Sequence, residues 1–210
     1  MEKRDPARTL EAARRDFDKW APRYEEDRRS RRIAGMQQQA FEALELRPED
    51  RFLDVGCGSG AAVRSAASIV RRAVGVDLSP GMIKRAQELA AGLTNAEFIL
   101  AESSDLPFAD GAFTALLCTT SFHHYPDPEG AVREMSRVLS SGGRIVIGDA
   151  SADRLGVRFA DWFLRRFDRS HVKLYRSAEF ARFLYAAELR DVAVRRLWRG
   201  GYAIVKARKG

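Results

Sequence analysis

Cysteine and histidine are the scarcest reactive groups in this chain, with two and three copies in 210 residues. Two thiols, Cys57 and Cys118, make no staple framework and close no four-thiolate metal cage. No His, Asp or Glu spacing carries the signature of a metal site, so none is expected. Low-complexity linkers and internal repeats are lacking too. No apolar run approaches the ~20 residues of a membrane-spanning helix. The segment from Met1 to Arg15 is highly charged, unlike a secretory signal. A soluble, reduced, cytoplasmic protein is therefore the expectation. A 45% hydrophobic composition over this length supplies one full core, hence a single domain over residues 1–210.

What the chain has in plenty is charge, 36 Lys and Arg against 29 Asp and Glu, for a formal net charge of +7. Residues 1–50 carry 12 basic and 12 acidic side chains, residues 51–150 carry 9 and 11, and residues 151–210 carry 15 and 6. The whole excess thus lies in the last third. Such a third reads first as a solvated Arg-rich face, and it also suits nucleic acid, an anionic membrane surface or an acidic substrate.

The first 50 residues read as helices. Asp5-Pro6 offers an N-cap and a first-turn proline, and Leu10, Ala13, Phe17, Trp20 and Tyr24 recur at helical steps until Pro22 interrupts. A second helix carries Ile33, Met36, Ala40, Phe41 and Leu44 and stops before Pro48. From Arg51 the pattern changes to short apolar runs, at 52–55, 73–76, 97–100, 113–119 and 144–148. Helical stretches lie between them, two starting at Ser79-Pro80 and Asp127-Pro128. Apolar strands alternating with helices predict an α/β, doubly wound, mostly parallel sheet. After a helix at 155–167 and another near 177–189, two strands joined through Arg199-Gly200-Gly201 predict a terminal antiparallel hairpin.

The strongest local signal is Asp54-Val55-Gly56-Cys57-Gly58-Ser59-Gly60, a buried strand running through alternating glycines into a helix. Glycine permits positive φ and close approach of a ligand to the backbone, so a ligand is expected at this strand's carboxyl end. The glycines alone also fit a dinucleotide fingerprint. Three neighbours discriminate. Asp54 would repel a pyrophosphate and could support an ammonium group. Asp77 ends the next strand, where a carboxylate accepts ribose hydroxyls. Glu102 follows the third strand, where an adenine amino group could donate.

With these residues the chain resembles the class I S-adenosylmethionine-dependent methyltransferases, in particular the small-molecule branch similar to the ubiquinone/menaquinone C-methyltransferases. The resemblance covers roughly residues 50–150 through five motifs in order. Asp54–Gly60 resembles the first motif, and Gly75-Val76-Asp77-Leu78-Ser79-Pro80-Gly81-Met82 the second. Glu102-Ser103 sits where the family contacts the adenine edge, and 121–127 resembles the segment after the fourth strand. The stretch 134–143 resembles the approach to the fifth strand, and the hairpin matches strands six and seven. The resemblance implies a Rossmann-like seven-stranded sheet with an N-terminal helical cap, and S-adenosylmethionine as cofactor with S-adenosylhomocysteine as product. It implies cofactor contacts from Tyr24, Asp54, Gly56, Cys57, Gly58, Gly60, Asp77, Leu78, Met82, Glu102, Ser103 and Thr119. It also divides the chain into a lid (1–48), a cofactor-binding core (49–150), a lid or substrate insertion (151–176) and a final helix and hairpin (177–210). For Tyr24, packing in a core with Phe17 and Trp20 is the equal alternative.

Methyl transfer from a sulfonium is an in-line displacement, and a base is needed only where the attacking atom must lose a proton. His123 and His124, beyond the fourth strand, are the base candidates, with loop packing as the alternative for each. Asp127 reads as a helix cap, and His171 as an isolated surface or lid residue. Neither cysteine reads as an activated thiolate. Phe159, Trp162, Phe163 and Phe167 are expected as an apolar substrate wall or as helix-to-sheet core. With Arg158, Arg165, Arg166 and Arg169 interleaved, the same helix also suits an anionic membrane surface.

The expected partner is a small-molecule acceptor, apolar or anionic, quinone-like or a natural product; the acceptor atom and the oligomeric state stay open. An RNA or DNA methyltransferase is disfavoured, because 120–124 lacks the Asn/Asp-Pro-Pro-aromatic run that clamps a flipped base and no nucleic-acid module is appended. A nicotinamide-dependent oxidoreductase is disfavoured by Asp54, Glu102 and the hairpin. A non-enzymatic cofactor-binding module is the third alternative.

Overall fold

The computed structural model describes residues 5–26, 28–168 and 170–210, without the side chains at 28–30, 32 and 33. The Ile33 side chain and Arg169, both named above, lie outside the described residues.

Helix α1 (Pro6–Trp20) and helix α2 (Arg28–Ala43) precede the sheet. Strands β1 (Arg51–Val55), β2 (Arg72–Asp77), β3 (Ala96–Leu100), β4 (Phe113–Thr119) and β5 (Leu139–Ala150) follow, with α3 (Ala61–Ala67), α4 (Pro80–Leu89) and α5 (Pro128–Val138) among them. The chain ends with α6 (Leu155–Phe167), α7 (Ser177–Ala186), β6 (Leu189–Leu197) and β7 (Tyr202–Lys209). The caps act as their residue types dictate: Asp5, Ser79 and Asp127 accept the backbone N–H of Ala7, Met82 and Gly130. Pro22 ends α1, and a single 3₁₀ turn (Ala21–Arg23) carries the chain on.

The seven strands form one sheet in the order β3-β2-β1-β4-β5-β7-β6. The first five run parallel, and β7 inserts antiparallel between β5 and β6. Strand β5 starts at Leu139, earlier than its apolar run, and α7 ends at Ala186 so that Leu189 opens β6. Side chains alternate into two cores. Leu53, Leu116, Ile145 and Val205 pack with Met135, Phe180 and Leu184 of α5 and α7. Phe52, Leu117, Val146 and Ile204 pack with Ala40 and Phe41 of α2, Val63 of α3 and Ala86 of α4. The chain reverses direction across the sheet between β1 and β4, and a crevice therefore opens beyond their carboxyl ends.

Helix α1 belongs to neither core. Its Leu10, Phe17 and Trp20 are half-buried, and the face they share turns toward that crevice. Among the described residues no helix is long and apolar enough to cross a membrane.

Candidate active site

The crevice holds a cleft of about 700 Å³, counting its open mouth. Its floor comes from strand ends: Val55 and Gly56 after β1, Val76 and Asp77 of β2, and Thr119 and Thr120 at β4. Leu78, Met82, Ala101, Glu102 and Ser103 line one end, while Leu10, Phe17 and Tyr24 close it from the N-terminal side.

The glycine loop is built by backbone bonds to β2. Gly56 and Cys57 both donate to the Val76 carbonyl, at 2.8 and 2.9 Å. Gly56 has φ 77°, and a Cβ there would lie 2.5 Å from Ser121, so this turn admits only glycine. Gly60 stands outside the cleft, and Cys57 lines the cavity that adjoins it under Asp54. A Cβ on Gly60 would meet the Phe98 ring at 2.5 Å, which makes its role helix-to-sheet packing, and the Cys57 thiol turns toward Gly75. Burial pushes the Cys57 thiol well up and the Cys118 thiol to about 12, so neither is a thiolate at neutral pH.

The Asp77 carboxyl is braced from both sides. One oxygen accepts Gly58 N–H at 2.8 Å and the other Ser79 N–H at 2.9 Å. Each oxygen keeps a second lone pair, enough for two vicinal hydroxyls. Burial raises its pKa against the lowering effect of these N–H donors, and Asp18 raises it further. Asp54 is a different case. It is buried, its Oδ1 has no partner among the described residues, and desolvation, with the Asp77 charge added, raises its pKa to about 8. A buried carboxyl with Oδ1 unpartnered beneath the glycine loop is hostile to a pyrophosphate and matches an ammonium group. Asp54 faces a third cavity with Gln37, Gln38 and Ser59, which shares Tyr24, Gly56 and Thr119 with the cleft. The residues present thus fit S-adenosylmethionine.

Tyr24 lines all three cavities, resting edge-on against Trp20 at 4.8 Å, so it is a wall residue and not a core tyrosine. Two carboxylates in the N-terminal segment hold this wall down. Asp18 accepts the Ser79 hydroxyl at 2.5 Å and Gly81 N–H at 2.9 Å. Glu25 accepts the Ser59 hydroxyl and pairs with Arg64, both at 2.7 Å.

A second cavity adjoins the cleft, lined by Phe17, Trp20, Leu164 and Leu174 as well as His123, His124 and His171. All three histidines of the chain therefore meet here, and His171, expected as isolated, is buried beside the other two. Ring centroids lie 4.0 Å apart for His123 and His124, and 5.6 Å for His123 and His171. His123 Nδ1 lies 2.8 Å from the fully buried Asp149 carboxylate, which also accepts His123 N–H. His171 Nε2 lies 2.8 Å from Asp161 of α6. His124 Nδ1 donates to the Ser170 carbonyl at 2.7 Å, which leaves the basic lone pair of the neutral ring on Nε2. Thr120 lies where cleft and cavity meet, with φ 54°, a strained conformation for a β-branched residue.

Sequence reasoning missed Asp18, Glu25, Thr120, Asp149 and Asp161. Only Asp149 had a legible signal, a carboxylate at the end of a buried strand run. The four aromatic residues of α6 are neither substrate wall nor core: Phe159, Trp162, Phe163 and Phe167 are 51–70% exposed. The inward face of that helix is Val157, Asp161, Leu164 and Asp168, and this face borders the second cavity.

Comparison with known proteins follows the same residues. Residues 53–147 match the family model of a methyltransferase domain. The chain is 33% identical over 153 residues to the uncharacterized methyltransferase YcgJ of Bacillus subtilis, covering 71% of this chain and 60% of that one. It is 32% identical over 130 residues to the demethylmenaquinone methyltransferase of Clavibacter sepedonicus, covering 61% and 53%. The chain thus spans about half to three fifths of these relatives' lengths. In fold it matches the 1,6-didemethyltoxoflavin-N1-methyltransferase of Burkholderia thailandensis, solved with its acceptor and S-adenosylhomocysteine, at TM-score 0.75 and 20% identity over 100% of this chain and 92% of that one. Residues 53–147 are thus similar to a methyltransferase domain, and the fold around them is one shared with S-adenosylmethionine-dependent methyltransferases of known structure.

Proposed function

We propose that this chain transfers a methyl group from S-adenosylmethionine to a small-molecule acceptor held in the second cavity. The shared wall carries the reading: Phe17, Tyr24, Thr120 and His124 line both the cleft and the second cavity. The two spaces therefore adjoin, which transfer between a donor in one and an acceptor in the other requires.

When bound, S-adenosylmethionine supplies an electrophilic methyl group on a leaving group that departs as a neutral thioether. The chain's own contribution is mostly alignment and exclusion of water. Gly56 and Gly58 let backbone approach the ligand, Asp77 accepts the ribose hydroxyls, and Asp54 meets the ammonium. Leu78 and Met82 flank the adenine, and Glu102 with Ser103 takes its edge. Residues 1–48 act as the lid, with Tyr24 over the methionine end, and residues 151–176 form the acceptor side.

His124 is the favoured base of the two candidates, since it lines both spaces. Its Nε2 takes the proton of an acceptor O–H, N–H or activated C–H. The Asp149 carboxylate fixes the His123 ring and offsets positive charge developing beside it. Apolar walls with three imidazoles suit a flat ring bearing an acidic proton, of the phenol, quinol or enol type. The name of the demethylmenaquinone relative points the same way.

The test is titration with S-adenosylhomocysteine and, separately, NADH, followed by assay against quinols, phenols and enols. Binding of the first, none of the second, and acceptor-dependent S-adenosylhomocysteine formation are expected. No binding of S-adenosylhomocysteine, or NADH competing for the cleft, overturns the reading.

A further inference from the structure

We propose that the outward face of α6 is a docking surface for an anionic lipid bilayer. The helix is inverted relative to an ordinary surface helix. Its inward face holds Asp161, tied to His171 Nε2 and to Leu174 N–H, while its outward face holds Leu155, Phe159, Trp162, Phe163 and Phe167. These five side chains are 51–76% exposed and recur on one side of a helix about 20 Å long. Monomeric soluble proteins seldom expose so continuous an apolar face. The rings are already paired with each other: Phe159 stacks on Trp162 at 5.9 Å, and Phe163 lies 4.5 Å from Phe167.

The exposed charge along this stretch is cationic. Among the described residues from Arg154 to Arg182, every exposed charged side chain is an arginine: Arg154, Arg158, Arg166, Arg176 and Arg182. Arg158, Arg176 and Arg182 also line a groove beside the helix with Arg165, Lys173 and Glu179, and the one carboxylate there is paired with Lys173. An apolar stripe flanked by arginines is the pattern of a helix lying in the headgroup region of an anionic leaflet, rings in the acyl boundary and guanidinium groups at phosphate. A second copy of the chain fits poorly, since a twofold contact would bring the arginine rim against its own copy. Single-stranded RNA fits less well than lipid, because Phe159 stacks on Trp162 and Phe163 packs against Phe167, so these ring faces cover each other where stacked bases would need them open. The opposite face of the same helix borders the second cavity, so docking would set that cavity beside the bilayer.

Flotation of the full chain with phosphatidylcholine vesicles, with and without phosphatidylglycerol, tests the proposal. Wild type should float with anionic vesicles at low salt, stay behind with neutral ones, and lose most of its binding at 0.5 M salt, a concentration at which headgroup charges are screened within ~5 Å. F159S/W162S should weaken partitioning at least about 30-fold, and R158E/R166E should abolish the difference between the two vesicles. Both variants should bind S-adenosylhomocysteine as wild type does, which separates this surface from the methyl-transfer reading. Absence of flotation at low salt overturns the proposal. So does equal flotation of the variants, a concentration-dependent dimer lost in F159S/W162S, or single-stranded RNA binding lost in the same variant without vesicle binding.

Discussion

A donor whose ammonium group meets Asp54, as proposed, would couple its binding to a proton. Its carboxyl is sealed under the glycine loop with Oδ1 unpartnered and a pKa raised to about 8 by burial and by Asp77. At pH 7 most molecules therefore hold it protonated. An ammonium group set against it requires the carboxylate, so binding must expel that proton. Calorimetry of S-adenosylhomocysteine at pH 7, in two buffers of different ionisation enthalpy, should report net release of a proton. The same ionisation opposes binding, so Kd should fall as pH rises through about 8. 5′-Methylthioadenosine keeps the nucleoside, and with it any contribution from Asp77, but lacks the ammonium; it should release no such proton. Asp54→Asn should abolish the release and weaken S-adenosylhomocysteine alone. Stability moves the other way. The folded pKa lies above the unfolded one, so the folded chain binds more protons and the free protein loses stability as pH rises from about 4 to 8. Asp54→Asn should therefore raise the ligand-free Tm at pH 7, by about 2–4 °C for each kcal/mol recovered. Equal proton release by both ligands, or unchanged release in Asp54→Asn, refutes the pairing.

Asp77→Ala removes the ribose acceptor and the brace on Gly58 together, and should weaken S-adenosylhomocysteine about 10- to 100-fold in the same calorimeter. His124→Ala should lower turnover about 100-fold or more while S-adenosylhomocysteine affinity stays within twofold; unchanged turnover in both His124→Ala and His123→Ala removes the base from the mechanism. Gly60→Ala combines φ 81° with a Cβ 2.5 Å from Phe98, and thermal melting should register a loss of about 1–3 kcal/mol even without ligand.

The sheet was legible because its signals are local. Asp5, Ser79 and Asp127 cap the helices their sequences announce, and each buried run between 52 and 119 became a strand. The cleft was legible for a related reason: its floor is strand ends, so Asp77 and Thr119 could be located by counting along a strand. The second cavity was not. His123 finds Asp149 from 26 residues away, His171 finds Asp161 across a helix boundary, and Asp18 reaches Ser79 over 61 residues. Carboxylates that meet only through tertiary packing leave no periodicity to read.

Helix α6 draws the same line more sharply. Helical spacing put Phe159, Trp162, Phe163 and Phe167 on one face, and they do share one. Periodicity determines a face and is silent on its direction, so the default of apolar-inward filled the gap. What reverses the default here is one buried acid. Asp161 sits opposite the aromatics and accepts hydrogen bonds from His171 and from Leu174 N–H. The His171 bond is among the causes that hold its pKa down against the effect of burial. Turning the helix over would take that acceptor from the buried His171 ring and Leu174 N–H, at a cost that hydrophobic burial must exceed. Asp161→Leu removes this anchor and makes the inward face apolar as well. The helix then loses its preference, and the Trp162 indole, 60% exposed in the wild type, should shift its emission to shorter wavelength without any vesicle present. An unchanged spectrum would mean that the Asp161–His171 pair does not set the orientation of α6.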